Sequence, residues 1–217
     1  MGLSDIKTKM EAACLTAGRP LSSVQLVAVS KMQPAEKVAA VLEQGQRVFG
    51  ENRVQDAEER WHPLRAQYKD IQLHLIGHLQ TNKAKDAVAL FDVIQTVDSQ
   101  KLARALKNEM QKQNRDLPCF IQVNTGDEPQ KGGVSVAELE PLVRFCHEEA
   151  HINIVGLMCI PPQDEIPDPH FALLHKLSTG FGITQLSMGM SADFERAIRY
   201  GATHIRVGSA LFGIREN

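Results

Sequence analysis

The chain has no apolar run near the roughly 20 residues that a membrane-crossing helix needs, so no span is expected. It has few cysteines. Cys14, Cys119, Cys146 and Cys159 are widely scattered, and no CxxC pair reads as a zinc or redox motif. Cys119 and Cys159 fall in strand-like apolar runs, where a free cysteine behaves as a small hydrophobe. A reduced, cytoplasmic setting is the expectation. An excess of one charge is lacking too. Lys plus Arg number 24 and Asp plus Glu 26, a formal net charge of −2. No like-charged run points to nucleic acid or an anionic membrane as partner. The N-terminus, MGLSDIKTKMEAACLTAGRP, lacks the apolar centre of a signal peptide. Ile6 breaks the myristoylation pattern that Gly2 would open.

What is there is a regular alternation. The chain has 217 residues, 43% of them hydrophobic, which suits one large soluble domain over residues 1–217. Eight short apolar runs recur: VQLVAVS, RVFG, IQLHLIG, FDVIQTV, CFIQVN, INIVGLM, TQLSMG and HIRVG. Most are too apolar to show clean in–out alternation, as in a parallel sheet covered on both faces. Helix-like stretches lie between them. Residues 34–44 carry Ala35, Val38, Ala39 and Leu42 at helical spacing, with Pro34 suited to a first turn. Residues 99–113 start at Ser99, a fitting N-cap, and place Leu102, Ala105, Leu106 and Met110 on one face. Residues 135–150 and 191–200 repeat the design, and residues 3–17 predict an extra helix ahead of the first strand. The fold class is therefore α/β, and eight units favour a (β/α)8 barrel over a doubly wound sheet. The stretch PPQDEIPDPH, residues 161–170, reads as one long surface loop.

In such a barrel the working residues sit at the C-terminal strand ends. Lys31 closes the first strand, and desolvation in a barrel mouth would make its amine a nucleophile for a carbonyl. A solvated lysine at a strand–loop junction is the plain alternative. The seventh strand ends in Gly189–Met190–Ser191 and the eighth in Gly208–Ser209, each ahead of a helix. Glycines, helix N-terminal amides and hydroxyls there suit an anion. With Lys31 across the mouth, they point to an aldehyde phosphate. Arg206 shares a strand face with Gly208 and needs a partner within so apolar a strand, a salt bridge being one choice. His74 and His78 do not make a metal pair, and His147 with His151 is a weak one, so no metal is expected. Lys83 and Lys85 read as a solvated helix start, and Asp193, Glu195 and Arg196 as an exposed helix face.

Taken together, VAVSKMQP, FGENRVQD, HLIGHLQTNK, VDSQKLA, QVNTGDEPQKGG, GLMCIP, LSMGMSADFERAI and IRVGSALFG run in order across nearly the whole chain. In these segments the sequence resembles the pyridoxal phosphate homeostasis proteins, single-domain relatives of the barrel domain of alanine racemase. The resemblance implies a modified TIM barrel that binds pyridoxal 5′-phosphate covalently, as a Schiff base on Lys31. It implies a phosphate cradle at Ser191, Gly208 and Ser209, with Met190 beside it. It implies that Arg206 faces the pyridine nitrogen and that Asn52 and His74 line the pocket. The sequence departs from the family pattern at Arg53, where an aromatic is common, ahead of His74, where Trp is frequent, and at Ser209, where Thr is common. The chain ends at Asn217, soon after the eighth strand. The expectation is that it lacks the β-domain with which racemase relatives supply a tyrosine acid/base across a dimer. Arginine only donates, so the pyridine nitrogen opposite it would stay unprotonated and the ring a weak electron sink. The expected role is a monomeric carrier in vitamin B6 control, serving PLP-requiring apo-enzymes. A PLP-dependent racemase or lyase is the competing reading, and a Schiff-base aldolase on a sugar phosphate a third.

Overall fold

A parallel sheet that covers both its faces must either be sandwiched or close on itself, and this one closes. The computed structural model describes residues 1–213. Its main strands are β1 (Gln25–Val29), β2 (Val48–Glu51), β3 (Gln72–Leu75), β4 (Val93–Val97) and β5 (Cys119–Asn124). A two-residue strand, β6 (Val134–Ser135), flanks β5; β7 (Ile154–Cys159), β8 (Gln185–Ser187) and β9 (His204–Val207) complete the set. The order is β4-β3-β2-β1-β9-β8-β7-β5, and pairing of β4 with β5 shuts the ring. All these pairings are parallel, with Val27 beside Arg206 and Gly50 beside His74. The eight expected strands are all present, and β6 is the one addition among the described residues.

The alternation hidden in the apolar runs becomes visible here. Leu26 and Ala28 of β1, Leu73 and Leu75 of β3, and Ile205 and Val207 of β9 join the core between sheet and helices. Their neighbours face the barrel's interior instead. There Val93, Phe120 and Met158 form a separate small cluster. Both environments are dry, so both sets of positions are apolar and the period of two is masked.

The helices bury one stripe each. The extra N-terminal helix α1 (Leu3–Thr16) buries Leu3, Ile6, Met10, Ala13 and Cys14. Helix α2 (Ala35–Glu43) follows Pro34, which sits one residue earlier than expected, as the cap. Helix α3 (Val54–Gln67) and α4 (Ala84–Leu90) follow β2 and β3. Helix α5 (Gln100–Lys112) starts as expected, with the Ser99 hydroxyl accepting the Leu102 N–H at 3.3 Å. Beyond β5 the 135–150 stretch divides into a 3-10 turn, α6 (Leu139–Arg144) and a wider π-type turn over Phe145–Glu149. The expected loop 161–170 is shorter than that. Helix α7 (Asp168–Gly180) begins inside it, because Pro169 is free to occupy a first turn. Helix α8 (Phe194–Arg199) and the short α9 (Ser209–Phe212) follow β8 and β9. Among the described residues no helix is long and apolar enough to cross a membrane.

Phe49 of β2 and Trp61 of α3 are both fully buried, their rings 4.7 Å apart. Phe49→Ala is expected to lower the unfolding free energy by about 3–5 kcal/mol, a loss of transfer energy plus a cavity. Urea unfolding checks it; a loss under about 1 kcal/mol would mean that the layer collapses to fill the space.

Candidate functional site

The C-terminal strand ends enclose a cleft of about 430 Å³. Lys31 and Asn52 line one side, at the ends of β1 and β2. Met190, Ser191, Arg206, Gly208 and Ser209 line the cleft from β8 and β9; because β9 pairs with β1, they lie beside Lys31 and not, as the sequence suggests, across the mouth from it. Seven of the eight residues singled out in the sequence thus share one cavity. His74 does not line it.

Lys31 sits in a tight turn. The Ser30 N–H donates to the Gly50 carbonyl at 3.1 Å, which ties the end of β1 to β2. The Gln33 N–H then closes back on the Ser30 carbonyl at 3.1 Å. Between them Met32 has φ 56°, in the left-handed region that a residue with a Cβ enters at a cost. Asn52 is set by a close approach. The Ile76 N–H donates to the Glu51 carbonyl at 2.9 Å, and a Cβ on Gly77 would lie 2.2 Å from the Asn52 carbonyl oxygen. Only glycine lets the ends of β2 and β3 meet this way.

The wall formed by the ends of β8 and β9 is rich in donors. The Ser191 hydroxyl accepts from the backbone N–H of Gly208 at 3.2 Å and of Ala210 at 3.3 Å. Two amides and the Ser191 hydroxyl therefore meet at the start of α9, where Ser209 also lines the cleft. Gly189 makes the bend, with φ 91°; a Cβ there would lie 2.5 Å from the Cβ of Ala197. Asp193 is not a plain exposed position. Its carboxylate accepts the Met190 N–H at 2.6 Å and shapes the loop before α8.

Arg206 is 3% exposed. Its Nη1 donates to the Ser187 hydroxyl at 2.7 Å and its Nη2 to the Cys159 carbonyl at 2.8 Å. Burial pushes its pKa down, yet a guanidinium stays charged. Neutral acceptors hold it, and among the described residues no carboxylate forms an ion pair with it.

His74 lies one layer deeper, and a chain of hydrogen bonds joins it to Arg206. The Ser187 hydroxyl accepts from Arg206, so its own proton goes to the Gln95 carbonyl oxygen at 2.5 Å. The Gln95 amide nitrogen then donates to His74 Nδ1 at 2.7 Å. Each donation fixes the next, which leaves the His74 proton on Nε2. Burial, aided by His204, lowers the His74 pKa to about 3. Burial, aided by Arg206, lowers that of His204 to about 4. His151 Nδ1 lies 2.9 Å from the His147 carbonyl, and no metal-holding cluster occurs among the described residues.

Sequence reasoning passed over Gln95 and Ser187, and also over Glu51. The Glu51 side chain is fully buried and accepts the Ser30 hydroxyl at 2.7 Å and the Trp61 indole N–H at 3.0 Å. A carboxylate at the end of an otherwise apolar strand was the available signal.

Comparison with known proteins identifies the family and the fold. The model of the alanine racemase N-terminal domain matches residues 4–216. The pyridoxal phosphate homeostasis protein of Aquifex aeolicus is 36% identical, over 99% of this chain and 97% of its own. This chain belongs to the pyridoxal phosphate homeostasis protein family. The structure of PipY from Synechococcus elongatus without PLP superposes with a TM-score of 0.84 at 37% identity, over 94% of this chain and 99% of that one. The same protein with PLP bound gives a TM-score of 0.81 at 36% identity, with the same coverage. The family's barrel is the fold described above.

The imidazoles of buried His74 and partly buried His204 make stability depend on acid. In the unfolded chain each takes a proton near 6.5; in the fold they do so near about 3 and about 4. The unfolded state binds more protons in between, so unfolding free energy falls as pH drops from about 6.5 toward about 4. His204→Gln removes one titration and should flatten the slope by up to about 1.4 kcal/mol per pH unit. Urea unfolding at stepped pH checks this; an unchanged slope would show that His204 is protonated in the fold.

Proposed function

We propose that this protein holds pyridoxal 5′-phosphate in the cleft as a Schiff base on Lys31. Its task is to store the cofactor and release it within vitamin B6 homeostasis, with effects on amino- and keto-acid balance, not to turn over a substrate. The single observation that carries this reading is the make-up of the cleft. Among the described residues lining it, Lys31 and Arg206 are the titratable ones.

The residues fit the group. Ser191, Ser209 and the amides of Gly208 and Ala210 form a donor set for a phosphate. Lys31 supplies the amine for the linkage, with one water released. Arg206 offers a charged donor to the ring nitrogen and cannot accept from it. Asn52 and Met190 bound the space between, and His74 supports Arg206 from below. When bound, the cofactor supplies an aldehyde and a ring able to draw electrons from an attached amine. Arg206 weakens that draw by leaving the ring nitrogen unprotonated. No second acid or base among the described lining residues stands ready to carry a proton to the opposite face, as racemisation needs. Storage follows from these two features. The names of the relatives and the PLP-bound PipY structure support it. The proposal assigns the protein to the cytoplasm, where its four free, buried cysteines would stay reduced. It acts there as a monomeric single domain that serves apo-enzymes requiring PLP.

Borohydride reduction of the protein loaded with cofactor, followed by peptide mapping, is the deciding experiment. The label is expected on Lys31, and the visible imine band is expected to vanish in Lys31→Ala. Absence of any band would overturn the reading. Amino-acid turnover above that of free cofactor, lost in Lys31→Ala, would replace it with a racemase or lyase. Removing both hydroxyls, in Ser191→Ala with Ser209→Ala, should weaken cofactor retention by about tenfold or more. Equilibrium dialysis measures this, and unchanged affinity would place the phosphate elsewhere.

A further inference from the structure

Lys31 stands in a turn whose conformation the local chain does not favour, since Met32 takes a left-handed φ of 56°. The restraint comes from α3. Arg60 Nη1 donates to the Ser30 carbonyl at 2.9 Å, and Nη2 to the Gln33 carbonyl at 2.8 Å. These two carbonyls bracket Lys31 and Met32. Nη1 also meets the buried Glu51 carboxylate at 2.7 Å. The same Glu51 oxygen accepts the Ser30 hydroxyl and the Trp61 indole N–H. One guanidinium thus spans both ends of the turn and is anchored to a fully buried carboxylate at the end of β2.

We infer that Arg60 is a positioning residue for Lys31, locking the turn so that the amine stays aimed into the cleft. The inference rests on the proposed attachment at Lys31. Arg60 does not line the cleft; it faces the groove between α2 and α3, together with Met32. Its action on the cofactor is therefore through the backbone. The planar fork is what makes the lock, because its two ends reach two carbonyls in fixed directions. A lysine keeps the charge and the pairing with Glu51 but has no such fork. Charge and lock can be separated on that basis.

The test compares Arg60→Lys and Arg60→Gln with wild type, loaded with pyridoxal 5′-phosphate. Thermal melts confirm that each variant is folded. Hydrogen exchange of the Met32 and Gln33 amides reads the turn without cofactor, and the visible imine band reads release on dilution and its pH midpoint. In Arg60→Lys, with a melting temperature near wild type, the turn amides are expected to exchange faster. Cofactor release should speed up about tenfold, as for a lost charged hydrogen bond, and the imine midpoint should move. Arg60→Gln should show the same changes and carries the test if the lysine variant does not fold. Wild-type release and midpoint in a folded variant would overturn the inference, whatever the exchange shows. A wild-type protein without an adduct on Lys31 would instead overturn the attachment itself. The exchange comparison would still decide whether Arg60 holds the turn.

Discussion

The interior of this barrel is organised around one buried cation. Arg206 stands almost wholly out of water, where an unsatisfied guanidinium would be prohibitively costly. Among the described residues no ion-paired carboxylate relieves it, and little solvent does. A hydroxyl and a main-chain carbonyl do, and the hydroxyl is turned the right way because Gln95 takes its proton. The requirement passes on to His74, which must accept at Nδ1 and remain neutral. Three residues, from β3, β4 and β8, are set by the donor-only chemistry of one on β9. An all-apolar barrel would need none of this.

The cleft walls are held in shape by different contacts. On the Ser191 side the chain makes a glycine bend at Gly189, and the Ser191 hydroxyl accepts from the amides of Gly208 and Ala210. Those two amides are thus satisfied within the chain. On the Lys31 side the restraint is imported from a helix, through Arg60 and Glu51. Glu51 and Asn52 are neighbours that face opposite ways, one into the support and one into the cleft. The segment FGENRVQD therefore serves both the pocket and its scaffold.

How much of this was legible in the sequence differs by element. The eight strands were, because a strand covered on both faces needs an apolar run whatever surrounds it. Helix α5 was, since Ser99 caps it and its apolar stripe is regular. Helix α3 was not singled out, being rich in charge and carrying Pro63 inside it. Helix α7 was obscured by the prolines at its start. Lys31, Ser191, Arg206, Gly208 and Ser209 were legible because barrel geometry gathers strand ends, so position along a strand predicts place in the cleft.

His74 shows the limit. Its strand and its motif could be read, but whether a side chain reaches the cleft or stops a layer below depends on how the strands stagger around the ring. Arg60 shows it more strongly. Its partners lie 27 and 30 residues away in the chain, and a main-chain carbonyl has no signature in sequence. The sequence by itself determined the repeating strand and helix units, the amine at the end of the first strand and the donors at the ends of the last two. Those are local patterns, set by burial and by the chemistry of single residues. Only the tertiary structure decided that Gln95 and Ser187 would orient Arg206 and that Arg60 would clasp the Lys31 turn. Such pairings are made across the closed barrel, where direction and distance matter and sequence spacing does not.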